Sequence, residues 1–352
     1  MYFDDAKSIT IMEQEKNITI YDIARVLNIS ASTVSRGLQN HPTVNISTRE
    51  KIAETAKAMG FRINTIAKNL RQQSTRTIGI IIHELNSQFT TFVLAGIERV
   101  TTPAGYDLII AHSSESYAKE VLNAHNLFDK RVDGLIATLA YDTDSLAHYD
   151  PFIAKKVPLV FFDRVEESGE GVKIVIDNFK AGYEATTHLI QQGCTRIAHF
   201  GASLKRNVFG DRFRGYRQAL TDHGLEFVED RVFINGQTEE DIAEGTRAII
   251  AMDPRPDGVF LANDFCAAVC IRAIKQSGLR VPQDIAVAGF NNDAISKLVE
   301  PAITTVNYPG LEMGEVAARQ ILYMLEHPNE RLSKKIFIGS ELIIRESSLR
   351  RG

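Results

Sequence analysis

From Thr77 onward the chain alternates short aliphatic, β-branched runs with segments of helical periodicity, and that alternation leaves few folds open. Thr77 to Ile82, Asp107 to Ala111, Gly134 to Ala137 and Val157 to Phe162 read as strands, with helices at Phe92 to Val100 and Lys119 to Phe128. Continuous apolar runs need cover on both faces, which places them in parallel sheets flanked by helices. After Asp177 a second series begins: helix Ala181 to Gln192, strand Arg196 to Phe200, helices Arg212 to His223 and Glu239 to Met252, strand Gly258 to Leu261, helix Ala267 to Ser277 and strand Ile285 to Gly289. Open α/β sheets take ligands at the carboxyl ends of their strands, so two such sheets predict two lobes facing one shared cleft.

The chain before this region has a different texture. Residues 16–76 carry ten Lys or Arg against three acids, or +7, although the whole chain has a formal net charge of -4. A basic module on an acidic body suits a polyanion bound at one end only. Thr19, with Asp22 three residues on, can cap a helix over Tyr21 to Leu27 whose inner face is Ile23, Val26 and Leu27; Asn28 can end it. Ser30 caps a second helix, Ala31 to about Leu38, with Val34 and Leu38 inward and Ser32, Ser35 and Arg36 outward. A third starts at Ser47, with Glu50 completing a capping box, and stops at Gly60. The short link between the first two helices forces a sharp angle, as in a helix-turn-helix head. The second helix then fits a major groove, with Ala31, Ser32 and Arg36 reading bases and Thr33 and Ser35 meeting phosphates or the core. A three-helix protein-interaction module is the alternative, but it leaves the charge and the outward Arg36 unexplained.

Several classes find no support. The longest apolar runs fall far short of the roughly 20 residues of a membrane helix, and Met1 to Gln14 lacks the pattern of a secretory signal, so a cytoplasmic location is expected. Cys194, Cys266 and Cys270 form no Cys-x-x-Cys pair and read as core thiols rather than metal ligands. Gly79-Ile-Ile-Ile-His-Glu lacks a dinucleotide loop, and no phosphate-loop motif occurs. His83 with Glu84, His188 and His199 make no recognisable catalytic set, so no enzyme activity and no cofactor are expected.

The stretches Thr19-Ile-Tyr-Asp-Ile-Ala-Arg25, Ile29-Ser-Ala-Ser-Thr-Val-Ser-Arg36 and Thr75-Arg-Thr-Ile-Gly79 carry a resemblance to the lactose repressor/galactose repressor family of bacterial transcription regulators, extending from about residue 18 to Ser347. The resemblance implies an α/β chain: a helix-turn-helix head (18–62), a hinge helix and linker (63–76), and a bilobed, periplasmic-binding-protein-like domain (77–346). Lobe one would comprise about 77–176 and 308–333, and lobe two about 177–307 plus the C-terminal segment. It implies a homodimer on double-stranded, pseudo-palindromic operator DNA, most simply a repressor, with an activator as the alternative. DNA contacts would fall on Tyr21, Ala31, Ser32, Thr33, Ser35, Arg36, Asn64, Ala67 and Leu70, the last wedged into the minor groove. Ile63 stands where the family usually has proline before the hinge.

For the cleft, the resemblance implies a small-molecule effector, a sugar or sugar derivative or alternatively a purine, with Phe89, Arg212 and Asn291 beside it; the strand ends and the loop before Arg212 add Asp163, Asn263 and Arg206 as effector-binding candidates. From the pattern alone, Asp163 follows a strand, Asn263-Asp264 follows another and Asn291-Asn292-Asp293 a third, although each could instead cap a helix. Arg206 should sit in a flexible loop and Arg212 should begin a helix. Asn291 replaces the usual aspartate, which favours a different hydroxyl pattern or a ligand bringing its own negative charge. A two-turn hinge is too short to hold its helix alone, and an apolar wedge kinks DNA as it enters. Leu70→Ala should therefore reduce operator bending while leaving effector affinity nearly intact; a bend angle equal to that of the wild type, measured by circular permutation or energy transfer, would remove the wedge role.

Overall fold

The computed structural model describes residues 18–61, 74–234, 236–330 and 333–350. The small unit, ending at Gln73, contains helices α1 (Ile20–Leu27), α2 (Ala31–Leu38) and α3 (Ile46–Ala58). Thr19 and Asp22 form a reciprocal capping box on α1, and Asn28 closes it with φ 52°. Ser30 caps α2 by accepting from Thr33 N at 3.1 Å. The core is Ile23, Ala24, Val34, Ile52 and Ala56, with Ile20, Leu27 and Leu38 packed beside it. Val26, expected inside, is instead 62% exposed, because Ala24 takes the inward place on the helix surface. The cap of α3 is Asn45, which accepts from Ser47 N at 3.0 Å, so the helix starts one residue earlier than the Ser47 signal suggests. Arg49 ties the α2–α3 turn by donating to the Val44 carbonyl at 2.8 Å and the Asn40 carbonyl at 3.2 Å.

The large unit begins at Ser74. Its strands are β1 (Thr77–Ile82), β2 (Asp107–His112), β3 (Gly134–Ala137), β4 (Leu159–Phe162), β5 (Val172–Ile176), β6 (Ile197–Gly201), β7 (Val232–Ile234), β8 (Gly258–Leu261), β9 (Ala286–Asn291), β10 (Thr304–Asn307), β11 (Lys335–Ile338) and β12 (Leu342–Ile343). One sheet has the order β11-β5-β4-β3-β1-β2, all parallel; the other has β12-β10-β9-β8-β6-β7, with β12 antiparallel. In both, the second strand of the series lies outside the first, so each lobe has a switch point beside its first strand. Helices α4 (Gln88–Thr101), α5 (Tyr117–Asp129), α6 (Asp150–Ala154), α7 (Asn178–Gln191), α8 (Asn207–Asp222), α9 (Glu239–Ala251), α10 (Asp264–Gln276), α11 (Ile295–Leu298) and α12 (Gly310–Glu326) complete the unit.

Three differences from the sequence reading concern boundaries. Ser74, Thr75 and Arg76, expected in the linker, are pinned to the body by Asp133, whose carboxylate accepts from Thr75 N and Arg76 N, each at 2.8 Å. β5 was not foreseen, since Lys173 interrupts its apolar run; the residue is nevertheless buried, with its ammonium on the Gly169 carbonyl. The returning part of lobe one extends to Ile338 rather than residue 333, because Lys335–Ile338 pairs in parallel register with Lys173–Ile176. The chain thus crosses between lobes three times, after β5, β10 and β11.

Glycines set the closest helix contacts. A Cβ on Gly314 would lie 2.0 Å from the Val93 carbonyl oxygen, and one on Gly96 2.2 Å from that of Leu311, so α4 and α12 cross backbone to backbone. In lobe two, α7 and α8 do the same: a Cβ on Gly182 would meet the Arg212 carbonyl at 2.4 Å and one on Gly215 that of Phe179 at 2.2 Å. Each crossing has glycine on both partners, leaving no flexible side chain to yield. Gly314→Ala should destabilise the body by about 1–3 kcal/mol or more, seen as a lower thermal unfolding midpoint; an unchanged midpoint would mean that the helices separate without cost.

Candidate functional site

The head presents one polar surface. Arg36 and Ser32 are exposed on α2, opposite buried Val34 and Gly37, and Tyr21 on α1 is 68% exposed. The Ser30 hydroxyl is a hub, 2.7 Å from Ser32 Oγ and 2.8 Å from Thr33 Oγ1, so the hydroxyls at the start of α2 are oriented by its own cap. Ala31, expected to read bases, is half-buried and packs on the head core, so its methyl is partly withdrawn from that role. Thr33 and Ser35 are half-buried. Gly37 leaves room for Ile52, whose Cδ1 would lie 2.4 Å from a Cβ there, which fixes the depth at which α2 sits on α3. Asn64, Ala67 and Leu70 lie outside the described residues.

In the large unit, side chains that follow strand ends of both lobes converge. Phe89, at the start of α4, stacks on Tyr308 of the β10–α12 crossover, with centroids 4.3 Å apart and planes at 14°. The Tyr308 hydroxyl donates to Asp163 Oδ1, just beyond β4. Arg212 lies in the second turn of α8 rather than at its start, which is Asn207, because the helix begins five residues earlier than the pattern predicts. Its guanidinium carbon sits 3.4 Å from the Phe290 ring centroid; Nε donates to Asn178 Oδ1 and Nη1 to the Ala262 carbonyl, both at 2.9 Å. Phe89, Asp163, Arg212 and Tyr308 are all buried. Burial without a contacting carboxylate lowers the Arg212 pKa to about 10.

Lobe-to-lobe hydrogen bonds close the rim. Asn207 donates from Nδ2 to the Asp163 carbonyl at 2.9 Å and accepts at Oδ1 from Val165 N at 3.0 Å. Arg206 is not in a flexible loop: it is buried, donates to the Thr143 carbonyl and pairs with Glu166 at 3.4 Å. On β9's side the Ala294 amide donates to Gln88 Oε1 at 2.7 Å. Asn263 serves as the helix cap weighed for it, with Oδ1 accepting from Cys266 N at 2.8 Å and Nδ2 donating to Gln237 at 2.6 Å. Asn291, at φ 104°, is half-buried and donates to Asp293 Oδ2 at 3.3 Å.

Asn178, Asn207, Phe290 and Tyr308 were not foreseen. Asn178 follows the Asp177 cap and Tyr308 precedes Pro309-Gly310, signals that mark breaks between elements but not a shared site. Asp264 is not a cap: it is fully buried, accepting from Asp293 N at 2.8 Å. His188 and His199 have structural partners, Ser348 Oγ at 2.7 Å and the Phe260 carbonyl at 3.1 Å. Among the described residues no cluster of His, Cys, Asp and Glu suits a metal, and no helix is long and apolar enough to cross a membrane.

Residues 19–64 match the profile of bacterial regulatory proteins, lacI family, and residues 186–348 that of the periplasmic binding protein-like domain. Catabolite control protein A of Priestia megaterium is 32% identical over 305 residues, covering 86% of this chain and 91% of that protein. The transcriptional regulator CelR–cellobiose complex is 26% identical, with TM-score 0.70 over 94% of this chain and all of that one. The lac repressor dimer bound to operator and the anti-inducer ONPF reaches TM-score 0.86 at 23% identity, over 95% of this chain and 100% of that one, a likeness of fold.

Asp264 supports the loop that carries Asn291, and burial raises its pKa to about 7. A raised carboxyl pKa means that the folded state holds the proton more tightly than the unfolded one. Its favourable contribution is complete below the unfolded value near 3.8 and is lost as pH rises through about 7. Asp264→Asn, which keeps an acceptor for Asp293 N, should therefore gain in unfolding midpoint relative to wild type as pH rises from about 4 to about 7, the window those two pKa values define. A difference that is flat across that range would show that the carboxyl does not titrate there.

Proposed function

The chain belongs to the lacI family of bacterial regulatory proteins and is a DNA-binding transcriptional regulator, and we propose that it is a cytoplasmic homodimeric repressor whose operator affinity is set by a small molecule between the lobes. The observation that carries the sensing half is the convergence of Phe89, Asp163, Arg212 and Tyr308 at strand ends of two lobes joined by three crossovers. A ligand in contact with both lobes changes their relative angle because it binds one arrangement better than the other. The lobes read a ligand and the head reads DNA, so the two affinities are coupled reciprocally. The cellobiose complex of CelR supports a sugar or sugar derivative as the ligand class. We assign no reaction to the chain.

On the DNA side we assign base reading chiefly to Arg36, whose exposed guanidinium can pair with a guanine edge, with Ser32 beside it. Tyr21, Thr33 and Ser35 would position the head through phosphates, and Asn64, Ala67 and Leu70 the hinge. Two heads related by a two-fold axis require a two-fold operator. With an operator selected from random sequence, Arg36→Ala should lose about 1–3 kcal/mol on that site and much less on unrelated DNA. Equal losses on both, in a binding assay at fixed salt, would assign Arg36 to the backbone instead.

A further inference from the structure

Arg212 is a buried cation whose partners are neutral. It donates to an amide oxygen and a main-chain carbonyl, and no carboxylate among the described residues lies within 4.0 Å of it. Its Nη2 has no hydrogen-bond partner, and the neighbouring Asn178 Nδ2 has none either. The other charges of the cleft are committed. Asp163 Oδ1 accepts from Tyr308, and its Oδ2 lies 4.0 Å from Arg164 Nε. Arg164 faces Glu115, with Nη1 at 2.7 and 2.8 Å from the two carboxylate oxygens, and Arg206 pairs with Glu166. Asn263 and Asn291 bring no charge. Lobe two therefore offers the cleft a positive charge that no carboxylate contacts, Asp163 acting on it only at longer range, with two unused N–H groups beside it. Leaving such donors buried and unpaired costs stability that an acceptor would recover, and only a charged acceptor recovers the electrostatic part.

We propose that the effector is an oxyanion, a small molecule whose carboxylate or phosphate-ester oxygens accept from Arg212 Nη2 and Asn178 Nδ2. This rests on the ligand-sensor reading above and names the chemistry of the same cleft. Stacking on Phe290 sets the plane of the guanidinium, so its N–H edge meets an acceptor lying in that plane, the geometry in which arginine binds carboxylate and phosphate. A hydroxyl in the same place satisfies a hydrogen bond but leaves the charge as it was.

Probes matched in everything but charge test this on the full-length wild-type chain: glucuronate against glucose, galacturonate against galactose, ribose 5-phosphate against ribose, and glucose 6-phosphate against glucose, with hypoxanthine as a neutral heterocycle. At least one charged member should raise the unfolding midpoint and bind about tenfold or more tightly than its neutral partner, the range of a charge-assisted hydrogen bond. Which member does so separates carboxylate from phosphate ester. Arg212→Gln, which retains an amide donor without the charge, should abolish the preference, while Arg212→Lys keeps part of it; the wild-type comparison stands even if a variant fails to fold. A neutral sugar or hypoxanthine binding as tightly as the charged probes overturns the oxyanion and leaves the sensor reading standing. Silence toward every charged probe also overturns it. Failure of the sensor reading itself registers separately, as operator affinity that no ligand alters.

Discussion

A parallel strand covered on both faces can offer polar chemistry only at its ends, and the large unit is arranged around that constraint. Its two sheets share one strand order, and their carboxyl ends supply the cleft: Phe89 after β1, Asp163 after β4, Asn178 after β5, Arg212 after β6, Asn263 after β8, Asn291 at the end of β9 and Tyr308 after β10. Because the sheet interiors are apolar, almost every ionisable group of the cleft must find its partner within the seam. Arg206 and Arg164 find carboxylates there, whereas Arg212 finds only neutral oxygens. That imbalance is local to a few side chains, yet it determines what the seam can hold.

The crossover after β10 has two duties. Tyr308 lies between the last parallel strand of lobe two and a helix of lobe one, and its ring and hydroxyl engage Phe89 and Asp163, both of lobe one. Its phenol is pushed well above the ordinary tyrosine range, chiefly by burial, so it remains a donor to Asp163. A change in the angle between lobes therefore moves a residue of the candidate site directly. One side chain thus belongs both to the cleft and to a crossover between the lobes.

Much of this was legible in the sequence where local rules act alone. Thr19, Asp22, Asn28 and Ser30 mark helix ends through hydrogen bonds spanning a few residues, and the structure has those bonds. The apolar runs Thr77–Ile82 and Gly258–Leu261 appear as strands because periodicity and burial agree. Legibility failed where a partner outside the local pattern decides. Lys173 occurs inside a buried strand because the Gly169 carbonyl accepts its ammonium, and Lys335–Ile338 joins the first sheet only because β5 offers an edge. The polar stretch before Arg212 resembles a loop, which puts the helix start at Arg212; in the folded chain that stretch is the first turn, held against Asp163 and Val165. Asn178 and Tyr308 carry no local signature of ligand contact, since their place in the cleft comes from topology.

The paired glycines also bear on mechanics. Where two helices touch through their backbones, neither can slide along the other without driving a carbonyl into a neighbouring Cα, so the α4–α12 and α7–α8 pairs act as solid blocks. Shear within a lobe is thereby opposed, which leaves rotation about the three crossover segments as the easier rearrangement. The lobes then turn as two rigid jaws on a common pivot, so a small displacement imposed by a few atoms in the seam is not lost to internal slip and grows in proportion to distance from the axis.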